Sequence, residues 1–352
     1  MKELLMSRPL ARLAIAIGAV VATVGMSACG TDSQAASGSA STEVRLGYFP
    51  NLTHATAIVA DKEGFFAKHL GTTKLKVSTF NAGPAAMEAL KSGAIDATYV
   101  GPGPATNAYI NSDGKAVTIV AGAATGGTSL VVAPSIRTVA DLKGKTLSSP
   151  QLGNTQDIAL RFWLKAHGLK TDLQGGGDVH VSPLENAQVV DSFKQKLIAG
   201  AWVPEPYATR LVQAGGKVLV DEHDLWPNKK FAITVLAVRT EYLQAHPQTV
   251  KALLAGGLDA TDLIAKEPAK AQADVAALIA KISGKPLKPA VIAAAWKQLE
   301  FTVDPVSSSL LLGAQHAHAV GILKAEPKLG KLVDLTLLNQ LLTQRGKAGI
   351  PQ

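Results

Sequence analysis

Glu88-Ala-Leu-Lys-Ser-Gly-Ala-Ile-Asp-Ala-Thr-Tyr-Val-Gly-Pro-Gly-Pro-Ala-Thr106 aligns without a gap on Asp191-Ser-Phe-Lys-Gln-Lys-Leu-Ile-Ala-Gly-Ala-Trp-Val-Pro-Glu-Pro-Tyr-Ala-Thr209. Lys91/Lys194, Ile95/Ile198, Val100/Val203, Ala105/Ala208 and Thr106/Thr209 are identical, and the aromatics Tyr99 and Trp202 coincide. Each copy reads as helix, strand, proline-rich turn, helix. The strands opening the two halves also correspond: Pro50-Asn51-Leu52 follows the first, and Pro150-Gln151-Leu152 follows the one at Thr146. Two matches in the same order point to two lobes built on one plan.

Around this repeat, short apolar runs alternate with helical stretches, which indicates a largely parallel sheet covered on both faces. Strands are expected at Val44–Phe49, Leu75–Phe80, Ala97–Val100, Val117–Ala121, Leu130–Ala133, Thr146–Ser149, Val179–Ser182, Gly200–Val203, Val218–Val220 and Phe231–Arg239. Helices are expected at Ala55–Leu70, Pro84–Ser92 and Asn154–His167, the last with an Asp157–Arg161 pair at i,i+4. Beyond Arg239 the pattern is helical, and Pro247, Pro268 and Pro289 each stand where a helix would begin. The simplest division is residues 43–133 plus 235–352 as one lobe and 134–234 as the other. The chain would then cross between lobes twice, near Leu130–Pro134 and Ala232–Val238.

The 352 residues are 47% hydrophobic and 18% charged, a globular composition long enough for two domains. The net charge of +8 comes from scattered lysines and from a basic leader, with no basic block interleaved with aromatics. Nucleic acid is not an expected partner. Residues 1–28 read as an export signal: a basic stretch, then an apolar run Leu13–Val24, far short of the ~20 residues a membrane span needs. The only cysteine, Cys29, ends this leader in Met26-Ser27-Ala28-Cys29. That arrangement resembles a bacterial lipobox, which implies lipidation at Cys29, a lipid-anchored protein outside the cytoplasm and a flexible Ser/Ala/Gly tether over residues 29–42. The folded part then holds no thiol, so disulfides, thiol nucleophiles and thiolate metal sites are excluded from it.

Ligands of parallel sheets gather at the carboxyl ends of strands, where helix N-termini offer unpaired N–H groups to an anion. Four small-residue turns fall there: Pro50–His54, Gly101–Thr106, Thr125–Ser129 and Gln151–Gln156. None contains arginine, so neutral donors and helix ends are expected to hold an anionic head. Arg161, paired with Asp157, is expected on the outside of its helix. A fifth loop, Trp202-Val-Pro-Glu-Pro206, adds an aromatic wall and a carboxylate. Glu205 can meet the amine of a zwitterion or a ring N–H, or cap the helix that starts beside Pro206. His54 reads either as a capping histidine or as a ligand contact.

Three segments carry a family resemblance: Gly47-Tyr-Phe-Pro-Asn-Leu-Thr-His-Ala55, Pro150-Gln-Leu-Gly-Asn-Thr-Gln-Asp157 and Gly200-Ala-Trp-Val-Pro-Glu-Pro206. They resemble the signature segments of ABC-importer substrate-binding lipoproteins of the nitrate, sulfonate and taurine group, above all aliphatic-sulfonate-binding proteins. The resemblance covers residues 43–240; the helical end agrees only in general pattern. It implies a two-lobed α/β fold of the periplasmic-binding-protein kind (type II), with the ligand between lobes joined by two crossovers. It implies a monomer that delivers a small anion or zwitterion to a membrane permease and its ATPase, with no cofactor or metal. Matching positions make Asn51, Gly103, Thr128, Asn154, Thr155, Trp202 and Glu205 the cleft candidates. A sulfonate, taurine, nitrate, a sulfate ester and a pyrimidine thiamin precursor all remain open as the solute.

Two other classes compete. An enzyme would need a catalytic constellation, and the eight histidines are dispersed, with none in a Gly-x-Ser-x-Gly or His-Glu-x-x-His context. His316 and His318, two apart, diverge on a helix and suit a metal poorly. A structural surface lipoprotein would need no cleft and would gain no stability from small molecules.

Overall fold

The computed structural model describes residues 41–284 and 286–351. The expected export signal, Cys29 and nearly all of the tether lie outside the described residues. In chain order the strands are β1 Glu43–Tyr48, β2 Lys74–Thr79, β3 Ala97–Val100, β4 Val117–Gly126, β5 Thr128–Val132 and β6 Thr146–Ser148. They continue with β7 His180–Val181, β8 Gly200–Pro204, β9 Lys217–Asp221, β10 Ala232–Arg239 and β11 Leu299–Glu300.

Two sheets result. One has the order β11-β4-β10-β3-β1-β2 and the other β7-β6-β8-β5-β9. In each, a parallel trio (β2-β1-β3 and β7-β6-β8) is flanked by a strand running the other way, β10 or β5. That reversed strand comes from the opposite half of the chain, so the two halves exchange one strand each. The repeat seen in the sequence reappears in the register. Tyr99 on β3 pairs with Leu236 on β10, and Trp202 on β8 pairs with Leu130 on β5.

Strand chemistry follows position. β4 and β8 are buried along their whole length and carry small, apolar and β-branched residues. β2, at an edge, is largely exposed, and Lys74 and Lys76 blunt it against further pairing. The helices Pro247–Lys266, Pro268–Ser283 and Pro289–Trp296 begin at the three prolines singled out in the sequence. Leu253, Leu254 and Leu258 of the first of these bury against Val44, Leu46 and Tyr99 of the first sheet. The expected helix Ala55–Leu70 is two helices, Ala55–Lys62 and Phe65–Leu70, because Gly64 adopts a left-handed conformation at φ 72°.

One boundary differs from the sequence expectation. The sequence division puts Leu130–Ala133 in the first lobe, yet β5 already pairs with β8 and β9 of the second sheet. The first crossover is therefore Gly126-Gly127, both at positive φ (73° and 68°). A Cβ on Gly126 would lie 2.1 Å from His223 Nε2, and one on Gly127 would lie 2.3 Å from Leu299 Cδ2. Only glycine passes through this gap. The turn Thr125–Ser129, read as an anion loop, is this crossover. The return strand β10 begins at Ala232, three residues before the expected boundary. The helical end is not confined to one lobe either. Helix Pro289–Trp296 packs on Tyr207–Gln213 of the second lobe, and Ser307–Ala319 packs on both Pro102–Asn111 and Thr155–Ala166.

Candidate ligand site between the two sheets

The carboxyl ends of β1, β2, β3, β6, β7 and β8 converge on one small cavity. Asn51, Thr53 and His54 follow β1, Asn81 follows β2, and Gly101 follows β3. From the second sheet come Asn154 and Gln156 after β6, Asn186 after β7, and Pro204 at the end of β8. Phe49 and Ile233 complete the wall. No lysine, arginine, aspartate or glutamate lines it.

Its polar groups are set by their neighbours. Thr53 Oγ1 donates to Asn51 Oδ1 at 2.6 Å, and Asn154 Nδ2 donates to Gln156 Oε1 at 3.0 Å. Asn186 Oδ1 is buried with no partner among the described residues. The His54 ring stacks on Phe49 at 4.3 Å, and its Nδ1 accepts the Phe49 N–H at 3.2 Å. Burial lowers its pKa to about 3, so the ring is neutral. The hydrogen bond to Nδ1 assigns the ring proton to Nε2, which makes that nitrogen a donor. The helical segments that start at Leu52, Pro102, Thr155 and Asn186 have no side-chain cap from Asn51, Gly101, Asn154 or Glu185. The first N–H groups at Leu52, Thr155 and Asn186 are left without such a cap, whereas the start at Pro102 offers none, because Pro102 and Pro104 lack an N–H and that of Gly103 is taken by Thr155. The positive ends of the helix dipoles favour negative charge.

Gly103 and Thr155 have another task. The Gly103 N–H donates to Thr155 Oγ1 at 3.2 Å, joining a helix start of one lobe to a helix start of the other. A Cβ on Gly101 would sit 2.4 Å from Thr155 Oγ1, and one on Gly103 would sit 2.9 Å from Ile158 Cδ1. Gly103 and Thr155 also border a second cavity, with Glu222, Trp226 and His316, that shares no lining residue with the first. Of the seven cleft candidates, the structure brings Asn51 and Asn154 to the first cavity.

Thr128, Trp202 and Glu205 line neither cavity. Trp202 is fully buried among Leu130, Trp163 and Leu164. Its Nε1–H donates to Glu222 Oε2 at 2.6 Å, and Thr128 Oγ1 donates to the same oxygen at 3.1 Å. Trp226 Nε1–H reaches Glu222 Oε1 at 3.3 Å. Glu222 thereby ties both crossover regions to the second sheet; burial pushes its carboxyl up to about 7, against the pull of those donors. Glu205 caps its own helix, accepting from Thr209 N–H at 3.1 Å and Thr209 Oγ1 at 3.0 Å. Arg161 is not on the outside: it is 1% exposed, and its Nε donates to both Asp157 oxygens at 3.0 Å. His316 stacks on Phe162 at 3.6 Å. Among the described residues no three side chains group as metal ligands, and no helix is long and apolar enough to cross a membrane.

Thr53 and Gln156 lie in two of the turns marked by the sequence without being among the cleft candidates, and Asn81 and Asn186 lie in none of them. Asn81 and Asn186 obey the same strand-end rule as Asn51 and Asn154, without a glycine-rich turn to flag them. Beside the first cavity lies a larger chamber, sharing Phe49, Asn51, Asn81 and Asn186 with it. Its other walls are mainly apolar: Phe80, Tyr207, Ile279 and Ile282, with Glu185 at one side.

Comparison with known proteins agrees with this layout. The alkanesulfonate-binding protein SsuA of Xanthomonas axonopodis pv. citri, solved with MOPS bound, superposes with a TM-score of 0.70 at 21% identity, covering 84% of this chain and 99% of that one. The nitrate-binding protein NrtA of Synechocystis PCC 6803 gives a TM-score of 0.70 at 17% identity, over 86% of this chain and 89% of its own. The fold is that of the two-lobed periplasmic binding proteins. Residues 37–280 match the NMT1-like family, and the chain belongs to that family. A Brucella abortus (strain 2308) protein provisionally named a binding protein is 30% identical over 243 residues, 68% of this chain and 72% of its own. The taurine-binding periplasmic protein of Escherichia coli (strain K12) is 28% identical over 204 residues, 58% of this chain and 61% of its own.

Proposed function

We infer that this chain is the extracytoplasmic substrate-binding lipoprotein of an ABC importer, and that its solute is an aliphatic sulfonate. The observation that carries the solute class is the pairing of two adjoining spaces with different chemistry. An acid-free ring of amide, hydroxyl and imidazole groups at helix starts suits a compact oxyanion. The chamber beside it, walled by Phe80, Tyr207, Ile279 and Ile282, suits an alkyl tail. Nitrate has a head and no tail. A pyrimidine precursor would leave the ring of donors without an anion. Taurine is the second reading, because Glu185 borders the chamber and can meet an amine.

Cys29 holds the protein to the outer face of the membrane through lipid, and the filled, closed form is handed to the permease and its ATPase. Binding rather than catalysis is the role of the site.

The test is a thermal-shift series on the soluble form that begins after Cys29. Ethane-, butane- and hexanesulfonate are compared with taurine, nitrate, a sulfate ester and a pyrimidine. A solute at 100 times its Kd adds about 2.7 kcal/mol to stability. The shift should grow from ethane- to butanesulfonate and exceed that of nitrate. A larger shift with nitrate overturns the sulfonate reading, and no shift with any solute favours a structural lipoprotein.

A further inference from the structure

The tail chamber is not closed at its far side. It shares Ala187, Tyr207, Ile279 and Ser283 with a third, open groove between helices of the second lobe and the helical end of the chain. Groove, chamber and amide pocket therefore lie side by side, each sharing wall residues with the next. Every charged side chain lining the groove is basic: Lys194, Arg210 and Lys288. None of the three makes an ion pair among the described residues. The Arg210 guanidinium lies over the Tyr207 ring, 5.4 Å from its centroid, and Tyr207 belongs to both groove and chamber. One cation is thus fixed at the junction. The one carboxylate among these walls, Glu185, lies at the side of the chamber.

We propose that Lys194, Arg210 and Lys288 form a cationic antechamber that captures the anionic solute ahead of the neutral amide pocket and sets its association rate. This rests on the reading of the pocket as an anion site. The division of labour has a physical reason. A pocket built from neutral donors holds an anion at short range but projects little field into solvent. Unpaired cations in a concave, partly apolar groove focus field and raise the local anion concentration, which accelerates encounter by about ten-fold or more. Exposed charges of this kind are screened beyond about 10 Å at 0.1 M salt. The antechamber therefore speaks mainly to the on-rate, and the amide pocket to the off-rate.

The test uses the soluble protein with 1-butanesulfonate as probe, its on- and off-rates followed by stopped-flow tryptophan fluorescence and its Kd by calorimetry. The triple variant K194Q/R210Q/K288Q is compared with K74Q/K115Q/K328Q, which removes the same charge from exposed positions that line none of these cavities. At low salt the groove variant should associate about ten-fold more slowly with an off-rate within about two-fold of wild type. The control should stay near wild type, and added salt should slow wild type much more than the groove variant. Equal slowing in both triples overturns the proposal, since net charge alone would then act. A change confined to the off-rate also overturns it, because the cations would then be contacts of the bound solute. Wild type that binds but associates no faster than the groove variant refutes the antechamber alone. Failure of wild type to bind 1-butanesulfonate refutes the reading of the pocket and the antechamber with it.

Discussion

The backbone N–H of Gly103 and the hydroxyl of Thr155 meet at 3.2 Å, so the helix Pro102–Asn111 of one lobe and the helix Thr155–Ala166 of the other touch at their first turns. This contact is possible only because Gly101 and Gly103 carry no side chain.

Gly101→Ala places a methyl group 2.4 Å from Thr155 Oγ1. The lobes should be held apart, at a cost of about 1–3 kcal/mol to the closed form. Small-angle scattering should give a larger radius of gyration with ligand than wild type gives, and affinity should fall about ten-fold or more. The double variant Gly101→Ala/Thr155→Ala should recover much of this, since the next nearest atom, Thr155 Cβ, lies at an ordinary 3.5 Å. No recovery would mean that Gly101 matters for another reason.

Asn154→Ala and Asn186→Ala each remove an amide from the pocket. An oxyanion left one donor short costs about 1–3 kcal/mol, a weakening of about one order of magnitude or more by calorimetry. Arg161→Gln should behave differently. It strands Asp157 in a buried pair, so thermal stability should drop by about 3–5 kcal/mol while the folded fraction keeps its affinity. If Arg161→Gln abolishes binding in folded protein and Asn154→Ala leaves it unchanged, the neutral-donor site is wrong.

Stability should fall as pH rises from about 4.5 to about 7, because burial pushes the carboxyls of Glu205 and Glu222 up to about 7. Through that window the folded chain keeps protons that the unfolded chain has released, so raising pH favours unfolding. Asp96 acts in the opposite direction at the acid end. Although burial pushes its carboxyl up, hydrogen bonds from Arg45 and Arg239 hold it below the usual range, and their stabilisation is lost as acid protonates it. Unfolding midpoints measured from pH 3 to 8 should therefore peak on the acid side of neutrality, and Glu222→Gln should flatten the neutral limb. An unchanged slope in that variant would remove Glu222 as its source.

Cys29→Ala should free the protein from the membrane or stall its processing, because no other thiol is present in the chain. Fractionation that finds the variant processed and membrane-bound like wild type would locate the anchor elsewhere.

Local chemistry made much of this molecule legible in advance. Apolar runs set the strands, proline at a first turn set the starts of three helices, and the repeat around Tyr99 and Trp202 announced two lobes on one plan. The strand-end rule marked the turns that hold Asn51 and Asn154, and the family resemblance picked those two residues out of them. Other decisions belong to packing. Thr128–Val132 is an apolar strand whichever sheet it joins, and only its pairing with β8 and β9 assigns it to the second. β8 is buried on both faces, so no alternation of polar and apolar residues tells which way Trp202 points. In the fold Trp202 turns to one core and its neighbour Val203 to the other, which takes the indole away from the cleft and toward Glu222. Ile279 and Ile282 reach the chamber from a helix far along the chain, and Asn81 and Asn186 line it from the two lobes. Such contacts join residues with no local signal in common. They exist only once two sheets, each carrying a strand from the other half, have been brought face to face.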